Sequence, residues 1–278
     1  MPEFPEVKTF IDNLMQQGLL NKTINKINFF DAKILKNTSV NTFKKNLIGK
    51  KIININQIGK LIIMQLNHDV FLTIHLRMEG KLFYIDSNLT NPKYCMVEII
   101  CVQKKLIYLD FRKFGTFNLY LSKKDLLNSS EIKKLGLQPF DKQLTATYFY
   151  NKIHSLHSPI KTILLDQSII AGIGNIYADE ILFACHIHPL TKGHKLKLLQ
   201  CKNIIKYCQK IMQLAIKNHG TTISSYAFAP HHAGNFQKYL KVHSQENKTC
   251  FICHRKIKKI KINGRGTYFC PNCQKISD

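Results

Sequence analysis

The sequence predicts an α+β protein of two domains, a two-layer antiparallel β-sandwich flanked by helices and then a helical carboxyl-terminal half ending in a small cysteine-bearing appendage. Three observations predict it. Eight short β-type runs crowd into residues 22–122. From Leu137-Gln138-Pro139 onward, apolar residues recur at helical spacing instead. The tail, 246–278, holds two C-x-x-C pairs. The boundaries are expected at 1–135, 136–240 and 241–278.

Residues 3–20 form an amphipathic helix in which Val7, Phe10, Ile11, Leu14 and Met15 share one face and Gly18 closes the pattern. Strands follow at Ile24–Phe30, Lys51–Ile58, Leu61–Leu66, Val70–Leu76, Lys81–Ile85, Tyr94–Val102, Lys105–Leu109 and Thr116–Leu121, separated by turn-like stretches such as Asn67-His68-Asp69. Strands this short and numerous suit two packed sheets. Helices are expected over 143–154, 159–166, 174–185, 194–217 and 221–226, with Ala227–Gly234 as a loop.

The chain has 278 residues, 45% of them hydrophobic, enough for a core that needs no disulfide staples. No apolar run approaches the roughly 18–20 residues of a membrane span. The first ten residues carry acids where an export signal needs basic residues and an apolar run. Neither a secreted nor a membrane protein is expected; the expected location is the cytosol, beside the chromosome. Lys and Arg number 41 against 17 Asp and Glu, a net charge of +24. An A+T-rich coding bias raises the lysine count but does not explain the scarcity of acids. The expected partner is a polyanion, a phosphate backbone. Cys95, Cys101, Cys185, Cys201 and Cys208 sit among apolar neighbours and read as reduced, buried thiols.

In the tail, Cys250-Phe-Ile-Cys253 and Cys270-Pro-Asn-Cys273 are two knuckles sixteen residues apart. Four thiolates complete a closed tetrahedral site for one structural Zn2+. Two redox dithiols would use the same residues, but the tandem spacing is that of a ribbon. Metal binding supplies the folding energy that so short a segment cannot draw from a core. Between the knuckles, Lys and Ile alternate towards Asn263-Gly264, the pattern of a β-hairpin with one charged face. Arg265, between Gly264 and Gly266, sits at its tip, within reach of phosphates.

At the front stands Met1-Pro2-Glu3-Phe4-Pro5-Glu6-Val7. Pro2 is small enough for Met1 to be removed, which would leave a secondary amine at the chain's start. Such an amine is a nucleophile towards sugar carbon, with a reference pKa of about 7.7–8.0. Glu3 is a proton donor and acceptor beside it. The alternative is an ordinary helix start, with proline at the entry and acids in the first turn.

The Pro2–Val7 string resembles the amino-terminal signature of the bacterial formamidopyrimidine-DNA glycosylases, and the resemblance continues in order along essentially the whole chain. Gly59-Lys60-Leu61 is similar to the segment bearing that family's second essential lysine. His75-Leu-Arg-Met-Glu-Gly80 resembles its strand-turn, and Asp110-Phe-Arg-Lys-Phe-Gly115 its DNA-wedge loop. Gly172-Ile-Gly-Asn-Ile-Tyr-Ala-Asp-Glu180 resembles its helix–two-turn–helix signature, and the four-cysteine finger with Arg265 closes the match. The resemblance implies a monomer acting on damaged double-stranded DNA as a glycosylase and abasic-site lyase. Pro2, Glu3 and Lys60 are then catalytic. Met78 and Phe114 are apolar wedges that fill the gap left by a flipped nucleotide, and Arg112 faces the orphaned base. His75, Asn175 and Arg265 clamp phosphates together with Lys60, and Tyr177 shares the Asn175 site. Lys161 lies near the damaged base; Glu79 and the stretch from Thr221 to Gly234 add base contacts. The implied reaction runs through a Pro2 Schiff base and elimination of both flanking phosphates.

The sequence departs from the family at three places. Lys93-Tyr94-Cys95-Met96 stands where members carry a His-x-His pair, which removes one expected phosphate contact. Val242-His-Ser-Gln replaces the usual Tyr-Gly-Arg, and 222–234 diverges. The wording around Phe4, Val7 and Arg112–Phe114 favours oxidised purines, 8-oxoguanine and formamidopyrimidines. The first rival is an endonuclease VIII-like enzyme for oxidised pyrimidines. The second is a non-catalytic zinc-finger DNA-binding protein, against which the retention of Pro2 and Glu3 argues.

Overall fold

Glu3 caps the first helix, α1 (Phe4–Gln16), and the Glu6 carboxylate turns back to accept the Glu3 N–H at 2.9 Å, a capping box. Gly18, at φ +80°, ends it in a conformation that costs a glycine little. The buried face, Val7, Phe10, Ile11 and Leu14, is the one the periodicity marks. Full burial of a side chain such as Phe10 stabilises the fold by roughly 1.5–3 kcal/mol.

A computed structural model describes residues 1–222 and 232–276. These divide into two compact units, Met1–Lys133 with Asn218–Asn235, and Lys134–Lys217 with Phe236 onward. In the first unit the strands are β1 (Lys26–Phe29), β2 (Ile52–Ile58), β3 (Leu61–Leu66), β4 (Val70–His75), β5 (Lys81–Asp86), β6 (Cys95–Cys101), β7 (Lys104–Leu109) and β8 (Thr116–Tyr120). They form two antiparallel four-stranded sheets, ordered β1-β6-β7-β5 and β2-β3-β4-β8. One apolar cluster joins α1 to side chains of both sheets, Ile27, Val97, Ile99 and Leu106 from the first and Ile55, Ile62, Met64 and Ile74 from the second. The two-layer expectation is thus met. β3 and β4 are buried on both faces, because Leu61, Ile63 and Phe71 pack outward against Leu126 of α3 (Lys123–Asn128).

The sequence pattern misses α2 (Val40–Leu47), α3 and the single turn α4 (Ser130–Lys133). In α2 only Phe43 and Leu47 are buried, one helical turn apart, which is too thin a stripe to register as a period. Its start is nonetheless written in Ser39, whose hydroxyl accepts the Thr42 N–H.

The second unit packs α5 (Ala146–Ile153), α6 (Ile160–Leu165), α7 (Asn175–Ala184) and α8 (Leu198–Lys217) around Phe149, Ile160, Leu164, Ile181, Ile204 and Cys208. The hairpin β9 (Lys258–Ile262) and β10 (Arg265–Phe269) turns at Asn263-Gly264, both at positive φ, as the sequence predicts. The expected helix 221–226 and most of the loop 227–234 lie outside the described residues. Among those described, no helix is long and apolar enough to cross a membrane.

Candidate active site and nucleic-acid-binding residues

The chain's start is enclosed. Pro2 is buried, Glu3 is 2% exposed and Lys60 is 6% exposed. Gln57, at the end of β2, donates to the Phe4 carbonyl at 3.2 Å and the Gly59 carbonyl at 3.0 Å, tying the Lys60 turn to the first turn of α1. Burial lowers the pKa of the terminal amine, Glu3 and Glu6 oppose that shift, and Lys60 adds to it. Glu6 does a second job, since its other oxygen accepts the Thr221 N–H at 2.7 Å. Gly220 permits this approach, because a Cβ there would lie 2.8 Å from the Glu6 carboxylate.

His75 ends β4. Its Nδ1 accepts the Arg77 N–H at 3.0 Å, so the neutral ring carries its proton on Nε2. Burial, with help from Arg77 and Lys60, pushes its pKa down to about 3. His75 therefore offers an uncharged N–H donor at neutral pH.

The turn carrying Met78 and the loop carrying Arg112 and Phe114 share one support. The Tyr108 ring fills the space beside both: a Cβ on Gly80 would lie 2.4 Å, and one on Gly115 1.7 Å, from its hydroxyl. That hydroxyl donates to Asp110 at 3.0 Å, and the same buried carboxylate accepts the N–H groups of Arg112 at 3.0 Å and Gly115 at 2.8 Å. The loop is thereby fixed from beneath while its tips stand out. Phe114 is 52% exposed, with the Arg112 guanidinium 4.7 Å from its ring centroid. Met78 is half-buried.

In the second unit, Asn175 opens α7 and donates from Nδ2 to the Gly266 carbonyl at 2.9 Å, which brings it beside Arg265 on the hairpin. Arg265 is exposed. Lys161 and Tyr177 stand differently from the expectation of direct DNA contact, for both are fully buried. The Lys161 ammonium donates to the Asn175 carbonyl and to Asp179, each at 2.7 Å, and Asp179 in turn pairs with His243 at 2.7 Å. The Tyr177 ring packs 5.7 Å from Phe236. Both side chains are closed off from solvent in this structure, Lys161 beneath the Asn175 carbonyl.

The sulfur atoms of Cys250, Cys253, Cys270 and Cys273 lie within 4.8 Å of one another, the donor set of a closed zinc site. Cys250 and Cys270 are buried in a cluster with Phe183, Val242 and Ile257. Gln274 links the second knuckle to the helices, accepting the Cys270 N–H and donating to the Ile187 carbonyl, each at 2.9 Å.

Comparison with known proteins gives matches along the chain. Residues 1–117 match the formamidopyrimidine-DNA glycosylase N-terminal domain, and residues 135–227 that enzyme's H2TH domain. A curated formamidopyrimidine-DNA glycosylase from Ureaplasma parvum serovar 3 is 44% identical over 278 residues, covering 99% of this chain and all of the relative. The chain belongs to the formamidopyrimidine-DNA glycosylase family. Among solved glycosylases, Lactococcus lactis Fpg (MutM) bound to DNA containing N7-benzyl-Fapy-dG superposes with a TM-score of 0.92 at 34% identity, over 99% of this chain and 100% of that one. The same Lactococcus protein with DNA containing an oxidised pyrimidine gives 0.91 at 33%, over 99% and 100%. Residues 247–276 match the zinc finger found in FPG and IleRS, so the cysteine cluster is that of a structural zinc.

Sequence reasoning missed several residues that hold the candidate residues in place: Gln57, Tyr108 and Asp110 in the first unit, and Asp179 and Glu180 in the second. Glu180 is 4% exposed and accepts the N–H groups of Lys241, Val242 and His243. None lies in a spacing that marks it, although the acids inside the quoted motifs, Asp110 and Asp179-Glu180, were on the page as letters without partners.

Proposed function

We infer that the protein is a monomeric bifunctional DNA glycosylase and apurinic/apyrimidinic lyase that excises oxidised purines, 8-oxoguanine and formamidopyrimidines, from double-stranded DNA. The observation that carries this reading is the start of α1, where Pro2 and Glu3 are buried and Gln57 ties the buried Lys60 turn to the Phe4 carbonyl. With Met1 removed, the Pro2 nitrogen becomes a secondary amine, and the reference pKa of a terminal amine, about 7.7–8.0, leaves part of it unprotonated at neutral pH. Pro2 attacks C1′, the C1′–base bond breaks and the base leaves with the proton shed by the Pro2 nitrogen. Glu3 then gives a proton to the deoxyribose ring oxygen, and the C1′–O4′ bond opens to a 4′-hydroxyl and a C1′=N double bond. The resulting iminium is a permanent cation and an electron sink. Loss of a C2′ proton then expels the 3′ phosphate, and a second elimination expels the 5′ phosphate. Lys60 keeps positive charge beside this site.

Flipping the nucleotide costs a few kcal/mol, and Met78, Arg112 and Phe114 occupy the space it leaves. His75, Asn175 and Arg265 hold phosphates, within a net charge of +24. The zinc ion supplies folding energy to the finger and takes no part in the reaction. We assign the work to the cytosol, on the chromosome; Cys95, Cys101, Cys185, Cys201 and Cys208 are free thiols, as a reducing compartment keeps them.

Borohydride trapping tests the reading. Wild-type protein is expected to form a reduced covalent adduct with DNA containing 8-oxoguanine opposite cytosine, and Pro2→Gly is expected to lose it. An adduct that persists in Pro2→Gly, or a chain that retains Met1 yet traps fully, overturns the mechanism. Since the Lactococcus relative was solved on an oxidised pyrimidine, excision of thymine glycol run in parallel separates the pyrimidine reading.

A further inference from the structure

Phe111 of the wedge loop and Tyr94, just before β6, form an aromatic pair that the reaction above does not use. Phe111 is 62% exposed and Tyr94 43%. Their centroids are 4.9 Å apart at 75°, an edge-to-face pair. The pair is built rather than incidental. Tyr94 holds a φ of +69°, a region that disfavours a bulky residue, and its carbonyl accepts the Asp110 N–H at 3.1 Å. Asp110 is the same residue whose carboxylate fixes Arg112 and Gly115. Phe111 is therefore set on the rigid base that sets Phe114, three residues further on.

The surroundings say what would cover these rings. The Lys93 ammonium lies 5.1 Å from the Tyr94 centroid, and Arg112 and Lys113 follow Phe111 in the chain. Lys113 is paired with Asp31 at 2.8 Å, and Asp110 is buried. Open aromatic faces among cations, with the nearby acids paired or buried, suit a nucleobase flanked by phosphates.

We propose that Tyr94 and Phe111 form a base-stacking site, separate from the Arg112–Phe114 wedge, for a nucleobase of the undamaged strand next to the one opposite the lesion. The proposal rests on the glycosylase reading. It also gives a role to the segment where the His-x-His pair is replaced: what is lost there as a phosphate contact returns as a stacking contact.

The test uses full-length protein and duplexes with a tetrahydrofuran abasic analogue, carrying 2-aminopurine on the opposite strand on either side of the base facing the analogue. Wild-type binding is expected to quench one of these probes. Phe111→Ala and Tyr94→Asn, the latter keeping a residue that tolerates positive φ, are expected to relieve the quench and weaken binding about tenfold, with no change in the salt slope. Phe111→Tyr is expected to restore both. Thermal melting checks that each variant is folded. Wild-type affinity and unchanged fluorescence in Phe111→Ala and Tyr94→Asn overturn the proposal. So does a loss accompanied by a shallower salt slope, which would mean lost phosphate contacts instead of stacking. Borohydride trapping by the wild-type protein is scored separately, so that failure of the stacking site and failure of the glycosylase reading are told apart.

Discussion

His75 carries a neutral ring at the end of β4. Its folded pKa of about 3 lies below the unfolded value of about 6.5. Between those values the unfolded chain binds the extra proton, so the His75 contribution to stability is present above pH 6.5 and is lost as pH falls towards 3. His75→Gln is therefore expected to gain stability relative to wild type as pH drops through that window and to show a constant difference above it. Urea midpoints at stepped pH measure this. Gly115 makes a different demand, one of space. Gly115→Ala is expected to cost about 1–3 kcal/mol through collision with the Tyr108 hydroxyl. Adding Tyr108→Phe removes the nearest colliding atom and leaves the ring carbon at 2.6 Å, so the double variant should recover part of that cost and be more stable than the sum of the single changes; thermal melts of the four-member cycle decide it.

At the scale of elements, the zinc finger is more than an attached ribbon. Its hairpin supplies the Gly266 carbonyl to Asn175, and its second knuckle reaches the helices through Gln274. Cys250→Ser is expected to lose the metal and weaken DNA binding while the β-sheets of the first unit stay folded. Zinc stoichiometry, circular dichroism and binding isotherms check this, and global unfolding would contradict it. The elements most legible in the sequence were those with strong periods. Leu61–Leu66 is legible to the residue, and α1 is legible except at its end, since it stops at Gln16, where Gly18 turns the chain, and not at residue 20. Short helices such as Lys123–Asn128 were not legible, since a single buried residue, Leu126, carries no period. The candidate site is legible where chemistry sits in a short string, as in the cysteine knuckles, whose four sulfurs the fold gathers; Pro2-Glu3 is legible as a helix start. It was illegible at Lys161 and Tyr177, where a motif letter does not reveal which way a side chain faces. Burial is a property of three-dimensional neighbours, Asp179 for one and Phe236 for the other.

Over the whole molecule, the surplus of 24 positive charges makes binding to DNA a matter of ion release. Arg265→Ala is expected to weaken binding to damaged and undamaged duplexes alike and to reduce the slope of log affinity against log salt by about one. Titrations at several salt concentrations measure it, and a loss confined to lesion-bearing DNA would argue for base contact instead.

The Tyr108 ring also channels how this loop pair can change over evolutionary time. Neither Gly80 nor Gly115 can acquire a side chain while the phenol remains, and at Gly80 the Leu76 carbonyl bars one as well. Drift is therefore steered outward, to Phe111, Arg112 and Lys113, whose side chains can be exchanged on an unaltered backbone. A lineage can revise the exposed face of this loop one letter at a time, without first surviving a collapsed scaffold.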